Sequence, residues 1–175
     1  MKKIVAVIVM FVGICLNHGF ADVTIRVVDL QRALDESTAG KRAVVEMKRV
    51  FKVKQDEIER KKAALKSMQD ELNVQSGLLS EDAKQDKLEE YQKELKVLQR
   101  HIQDSNDEMK KKEGEYVNKI AVELRELVRI MGKESGYDIV LEAQEAGTLY
   151  SSASIDITDS VIGRYDRDWN ARKRK

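Results

Sequence analysis

The sequence predicts an α+β protein that is mainly helical, with a small β body and a long antiparallel helical-hairpin arm of coiled-coil type. Of the 175 residues, 36% are charged, 5% are aromatic and none is proline, a composition typical of long helices rather than of one large core. Apolar residues recur every seven positions through the middle of the chain. Segments rich in β-branched residues lie on both sides of that region, so the arm is expected to be inserted between two body segments.

Residues 1–21 have the pattern of a secretory signal peptide. Lys2 and Lys3 precede an apolar run, and Gly19-Phe20-Ala21 fits a small-x-small cleavage site. The run is about 13 residues long, too short to span a bilayer comfortably, which disfavours an uncleaved membrane anchor. We therefore expect cleavage between Ala21 and Asp22 and an exported mature chain that lacks cysteine.

The charge of the mature chain disfavours a nucleic-acid partner. The whole chain has 32 Lys and Arg residues against 31 Asp and Glu, and two of the lysines lie in the predicted signal peptide. The remainder has 30 against 31, a formal net charge of −1. A strongly basic domain of the kind that binds nucleic acid is not expected from this balance. Since disulfides are absent, packing or assembly must supply the stability.

Two series of apolar residues predict the two helices of the arm, residues 38–136, because a sustained heptad spacing keeps one side of a helix facing a partner. The residue numbers of each matched pair sum to 160, which places the chain reversal at residue 80 in a turn at residues 76–80. Gly77 is expected to end the first helix, Ser80 to cap the second, and Gly132 and Gly136 to mark its far end. The pairs are Val44 with Tyr116, Phe51 with Met109, Ile58 with Ile102, Leu65 with Leu95, and Leu72 with Leu88.

The body is predicted to form from residues 22–37 and 137–170. Val23–Asp29 and Tyr137–Glu142 have strand composition, and Thr148–Ser152 is predicted as a third strand. Three strands and a short helix bury little surface, so the body is expected to associate with copies of itself. The apolar candidates for that interface are Ile25, Val27, Ile139, Val140, Leu141, Leu149, Ile155 and Ile157.

The end of the chain is predicted to be helical. A turn at Ala146-Gly147 precedes a helix with Asp156 as its N-cap and Asp159 at the capping-box position. Residues 171–175 form a basic tail that is expected either to bind anionic lipid or to be disordered.

No catalytic or metal-binding set of residues is apparent. His101 is the one histidine outside the predicted signal peptide, which excludes the usual zinc-site and Cys/His nucleophile patterns. No glycine-rich phosphate-binding pattern occurs. The acidic residues of charged helices more often form i,i+4 pairs or face solvent than serve as an acid–base pair. The sequence therefore predicts neither an enzyme nor a cofactor.

The first arm helix is the more positive of the two. Between Lys41 and Leu72 it has ten Lys or Arg residues against six Asp or Glu. Its densest part, the basic strip, is either an ordinary solvated face or a surface that captures acidic partners or anionic lipid head groups. The basic strip consists of Arg60, Lys61, Lys62 and Lys66.

The layout resembles the Skp/OmpH family of periplasmic chaperones. The resemblance is based on "IRVVDLQRALDES", the charged hairpin and "GYDIVLEAQEAGTLYSSASIDITDSVI", and it covers essentially the whole mature chain. It implies a soluble periplasmic homotrimer shaped like a jellyfish, whose three arms enclose a cavity. In that cavity such a chaperone holds unfolded outer-membrane proteins without ATP and prevents their aggregation. Contact with anionic lipid or lipopolysaccharide is also implied, without assigned residues.

The predicted turn at the outer end of the hairpin has two adjacent leucines that the chain reversal does not require. We therefore expect apolar residues near the tip to contact clients, the candidates being Met68, Leu72, Val74, Leu78 and Leu79. The alternative function is that of a structural coiled-coil adaptor of the cell envelope that docks one specific partner through the tip.

Overall fold

The computed structural model describes residues 23–75, 77 and 79–174. The predicted signal peptide, with its cleavage site at Ala21 and Asp22, lies outside the described residues, as does the tip candidate Leu78.

Two long helices dominate the structure and confirm the predicted antiparallel hairpin. Helix α2 spans Thr38–Gln75 and helix α3 spans Glu81–Ser135. With 38 and 55 residues, they are about 57 and about 82 Å long at ~1.5 Å per residue. The hydroxyl oxygen of Ser80 accepts a hydrogen bond from the Ala83 amide, as expected of an N-cap. Gly136 ends α3 in the left-handed conformation, with φ of 67°.

A short helix, α1 (Leu30–Glu36), precedes the hairpin and was not predicted from the sequence. The side chain of Asp29 caps it by accepting from the Arg32 amide at 2.7 Å. Gly40 allows α1 and α2 to meet closely, because a Cβ atom there would lie only 1.8 Å from the Leu34 carbonyl oxygen. The Asp166 carboxylate accepts from the Thr38 amide at 2.8 Å, which ties the start of α2 to the terminal helix.

The sheet of the described chain has two parallel strands, β1 (Ile25–Val28) and β2 (Ile139–Glu142). The predicted third strand at Thr148–Ser152 is wrong, because this segment is irregular and follows a turn that contains Gly147. Residues 155–157 lie beside β1 instead. The Val27 amide donates to the Ile155 carbonyl, and the Ile157 amide donates to the Val27 carbonyl, both at 2.9 Å.

The terminal helix α4 (Thr158–Lys173) begins two residues after Asp156, so the predicted N-cap is wrong by one position. Ile157 occupies the N-cap position, while the Asp156 carboxylate accepts from the Thr158 amide at 2.8 Å. Hydrogen bonds from Thr158 lower the pKa of Asp156. Asp159 does not complete a capping box; it forms an ion pair with Arg32 at 3.0 Å.

Of the two alternatives for the basic tail, disorder does not hold for residues 171–173, and binding of anionic lipid stays a prediction. Helix α4 continues through Lys173, and the Arg172 guanidinium donates to Glu123 of α3 at 2.9 Å. This ion pair and the packing of Trp169 against the core hold the last turns of α4 on the hairpin.

The hydrophobic core lies where the base of the hairpin meets the body. Leu124 at its centre is completely buried. Because α2 and α3 supply core residues, the base of the hairpin and the body form one folded unit that crosses the predicted boundaries at residues 38 and 136. The buried members of the core are Val28, Ala33, Ala39, Ile120, Leu124, Leu127, Ile157, Val161 and Tyr165.

Candidate functional site

The side of α2 that packs on α3 departs from the predicted heptad series as it approaches the body. Leu65 is buried, as predicted, but Val44 and Phe51 of the same series are 54% and 55% exposed. A series with exact seven-residue spacing drifts by ~20° per heptad around a straight α-helix, or about 60° between Leu65 and Val44. Lys54 and Met47 lie 11 and 18 residues before Leu65, close to whole turns, and they occupy the half-buried positions instead.

The members of the two series nearest the body line an apolar groove of about 650 Å³. We call it the base groove. Its floor lies between α2 and α3, where Ile120 is buried and Met47 and Met109 are half-buried. Exposed apolar side chains on otherwise charged helices mark a surface suited to a partner. The apolar side chains that define the base groove are Val44, Met47, Phe51, Met109, Tyr116 and Val117.

The tip candidates differ in exposure. Val74 is 79% exposed, whereas Met68, Leu72 and Leu79 are half-buried. The Leu79 amide donates to the Gln75 carbonyl at 3.1 Å, so the tip is closed by a backbone hydrogen bond. Among these four, Val74 alone offers a large apolar surface to solvent.

The basic strip on α2 faces solvent. All four of its side chains are exposed, and Lys62 forms an ion pair with Glu59 of the same helix at 2.9 Å. Exposed pairs of this kind contribute little stability. The strip therefore remains available to a charged partner.

The middle of the hairpin contains a polar layer. Lys54 of α2 and Glu108 of α3 form an ion pair at 2.9 Å, and the hydrogen bond from Lys54 lowers the pKa of Glu108. The hydroxyl of Ser105 is buried without a hydrogen-bond partner in the described chain. The Nε2 atom of His101 lies 3.6 Å from a Glu57 oxygen, beyond hydrogen-bonding distance. Such a layer weakens the middle of the arm compared with an apolar one.

Replacing Ser105 with alanine is expected to stabilise the protein. A buried hydroxyl without a partner costs about 1–3 kcal/mol, and its removal leaves the packing nearly unchanged. The matched control is Ser67→Ala, at an exposed position within α2, which reports the gain in stability from helix propensity alone. Urea unfolding followed by circular dichroism should show that Ser105→Ala raises the free energy of unfolding by about 1 kcal/mol more than the control does. Equal gains would show that the buried hydroxyl has no energetic cost.

The outer face of the sheet is apolar. Ile25 pairs with Ile139 in the parallel register, and both side chains are exposed together with Leu141. Leu149 is completely exposed, and so is most of the neighbouring Tyr150, which the sequence analysis did not select.

The remaining interface candidates are less available to a second copy. Val27 and Ile157 are buried within the protomer and offer little surface to a second copy, so their part in an interface stays a prediction. Val27 lies on the same face of β1 as Ile25, because alternate strand residues share a face, but residues 155–157 run beside Val27 and hydrogen-bond to its backbone. Val140, which packs against the core, and Ile155 are half-buried.

A hydrogen-bonded network joins α3 to α4 above the core. The Tyr165 hydroxyl donates to Glu123 at 2.7 Å, and Arg172 donates to the same oxygen. Burial raises the pKa of Glu123, but the hydrogen bonds from Tyr165 and Arg172 outweigh this effect and leave the pKa lowered. Burial, reinforced by Glu123, raises the pKa of Tyr165. The network keeps a carboxylate ionised next to the core.

Within the described residues, no group of three or more His, Cys, Asp or Glu side chains is arranged to hold a metal ion. No described helix combines the length and the apolar character needed to cross a bilayer.

The family model for OmpH-like outer membrane proteins matches residues 24–165, from β1 to the middle of α4. The chain belongs to the OmpH-like family. The match confirms the family resemblance inferred from the sequence and includes both helices of the hairpin. Trp169, Arg172 and Lys173 lie beyond its end.

The fold is also that of a solved member of the OmpH-like family. The chain is similar to the crystal structure of a candidate outer membrane chaperone (OmpH-like) from Caulobacter crescentus, with a TM-score of 0.79 and 20% sequence identity. The similarity covers 86% of this chain and 88% of the other. No curated protein sequence matches the chain.

Proposed function

We propose that the protein is a periplasmic holdase that binds unfolded outer-membrane proteins without ATP and prevents their aggregation on the way to the outer membrane. The base groove is the observation that carries this proposal, because it leaves apolar side chains exposed on a long, highly charged hairpin. An extended client can make many weak contacts with such a surface, while the surrounding charges keep the complex soluble. Membership of the OmpH-like family and the description of the Caulobacter protein support it.

The proposal includes a homotrimer whose arms surround the client. The apolar outer face of the sheet supports self-association, since Ile25, Ile139 and Leu141 would be desolvated by a second copy. Leu149 and Tyr150 extend this apolar surface along the chain. A cavity between three arms would bring three base grooves towards one client and raise the effective affinity without new contacts.

Sedimentation of residues 22–175, alone and with a urea-unfolded outer-membrane barrel, tests both the proposed trimer and the proposed holdase. We expect a trimer alone, a larger complex with the unfolded barrel in the absence of nucleotide, and no complex with the folded barrel. A monomer that forms no complex would contradict both the trimer and the holdase. A complex that forms only with one particular folded envelope protein would favour the adaptor function instead.

An interface variant makes the test of the trimer specific. Ile139→Lys places a charge on the apolar face of the sheet and should yield monomers. Val122→Lys, which changes an exposed valine of α3 away from the sheet, is the control and should remain trimeric.

A further inference from the structure

A second groove at the base of the hairpin is lined by cationic side chains from three helices. This basic groove, of about 480 Å³, lies between α2, α3 and α4. Arg42 and Val44 are two residues apart, or about 200° around α2, so the basic groove and the base groove open on opposite sides of the hairpin. Its charged and aromatic lining includes Arg42, Lys119, Trp169, Arg172 and Lys173.

The two carboxylates of the basic groove are already neutralised. Glu46 forms an ion pair with Arg49 at 2.7 Å. Glu123 accepts hydrogen bonds from Arg172 and from the Tyr165 hydroxyl. The other three cations, Arg42, Lys119 and Lys173, form no ion pair in the described part of the chain. The groove therefore has an excess of positive charge.

Trp169 holds two of these cations at the wall of the basic groove. The Arg42 guanidinium lies 4.7 Å from the centre of its ring, and the Lys173 ammonium lies 5.3 Å from it. A cation–π contact orients a cation without cancelling its charge. Three like charges converge on one concave surface, where an anion would relieve their repulsion.

We propose that the basic groove is a binding site for a phosphate group, from either a soluble phosphate compound or a phospholipid head group. A phosphate dianion would compensate most of the excess charge, and it accepts paired hydrogen bonds from a guanidinium and single ones from ammonium groups. Ile120 and Trp169 supply an apolar wall for the part of the ligand next to the phosphate. Trp169, Arg172 and Lys173 lie beyond the segment matched by the family model, so the site depends on the end of this chain.

Titration of the mature chain tests the proposal with Trp169 as its reporter, because the sequence has a single tryptophan. Inorganic pyrophosphate is one probe. Vesicles of phosphatidylglycerol and phosphatidylcholine in a 1:4 ratio, compared with phosphatidylcholine alone, are the other. We expect Trp169 fluorescence to change on binding, and calorimetry to show about tenfold or greater loss of affinity in the variant Arg42→Gln/Lys119→Gln/Lys173→Gln.

The control is Arg60→Gln/Lys61→Gln/Lys66→Gln, which removes the same charge from the basic strip. Binding of pyrophosphate that only the first variant weakens supports the site with a soluble phosphate as ligand, and the same result with charged vesicles alone supports a lipid head group. Equal losses in both variants would show a diffuse charge effect and overturn the proposal. Absence of binding to either probe would also overturn it. Neither result bears on the holdase, which is assayed with unfolded protein.

Discussion

Leu124→Ala is expected to lower the free energy of unfolding by about 3 kcal/mol, a large part of the stability of a small domain. Leu124 has no exposed surface and lies in the core with Ala33 of α1 and Val161 of α4. Truncation of this side chain removes apolar contacts and leaves a cavity in the core between several elements. The base of the hairpin and the body should therefore loosen together.

Urea unfolding at a fixed protein concentration measures the effect of Leu124→Ala. Trp169 fluorescence reports on the core, against which this side chain packs, and circular dichroism reports on the long helices. Leu88→Ala is the matched control, since it makes the same change at an exposed position of α3 and should cost below about 1 kcal/mol. Equal losses in the two variants would contradict a core centred at the junction.

The pairing of the two long helices was predictable from the sequence because it depends on periodicity. Among the described residues, pairs of titratable side chains from α2 and α3 approach within 4 Å at three places, which link Lys54 to Glu108, Glu57 to His101, and Glu71 to Lys87. Their residue numbers sum to 162, 158 and 158, within two of the predicted 160. The caps at Ser80 and Gly136 were also predictable, because capping depends on residues that are close together in the sequence.

The exposure of Val44 and Phe51 was not predictable from their spacing. A heptad series remains buried only where the two helices supercoil, and it rotates out of the contact where they run straight. The sequence does not reveal whether the two helices supercoil or run straight at a given point along the hairpin. The candidate contact surface consequently lies at the base as well as at the tip, where the sequence analysis placed it.

The body was less predictable because its residues make long-range contacts. Residues 155–157 lie beside β1 through hydrogen bonds to Val27, and nothing in their composition distinguishes them from Thr148–Ser152. Which face of each strand meets the helices of the same chain is a tertiary property. The packing of residues 155–157 accompanies the burial of Val27 and Ile157, whereas Ile25, on the same face of β1 as Val27, stays exposed with Ile139.

Val44→Lys/Phe51→Lys is expected to weaken the binding of an unfolded outer-membrane protein by about tenfold or more. Burial of one such side chain contributes about 1.5–3 kcal/mol, and 1.4 kcal/mol corresponds to a factor of ten in affinity. The lysines also place charge in the base groove, where an apolar client segment would have to desolvate it. Light scattering of the diluted client measures how much chaperone is needed to suppress aggregation, and fluorescence anisotropy measures the affinity.

The matched control is Val45→Lys/Val53→Lys, which adds the same charge to the same helix at exposed valines outside the base groove. Because it alters net charge and helix surface equally, a difference between the two variants isolates the contribution of the groove. Leu78→Ser/Leu79→Ser tests the tip in the same assays. If the tip variant abolished suppression while the groove variant retained it, clients would be held at the end of the arm, and the base groove would have no part in binding them. A loss in the groove variant alone would instead place the main contact beside the body, where the arms of the proposed trimer would converge and shield a client most completely from its neighbours.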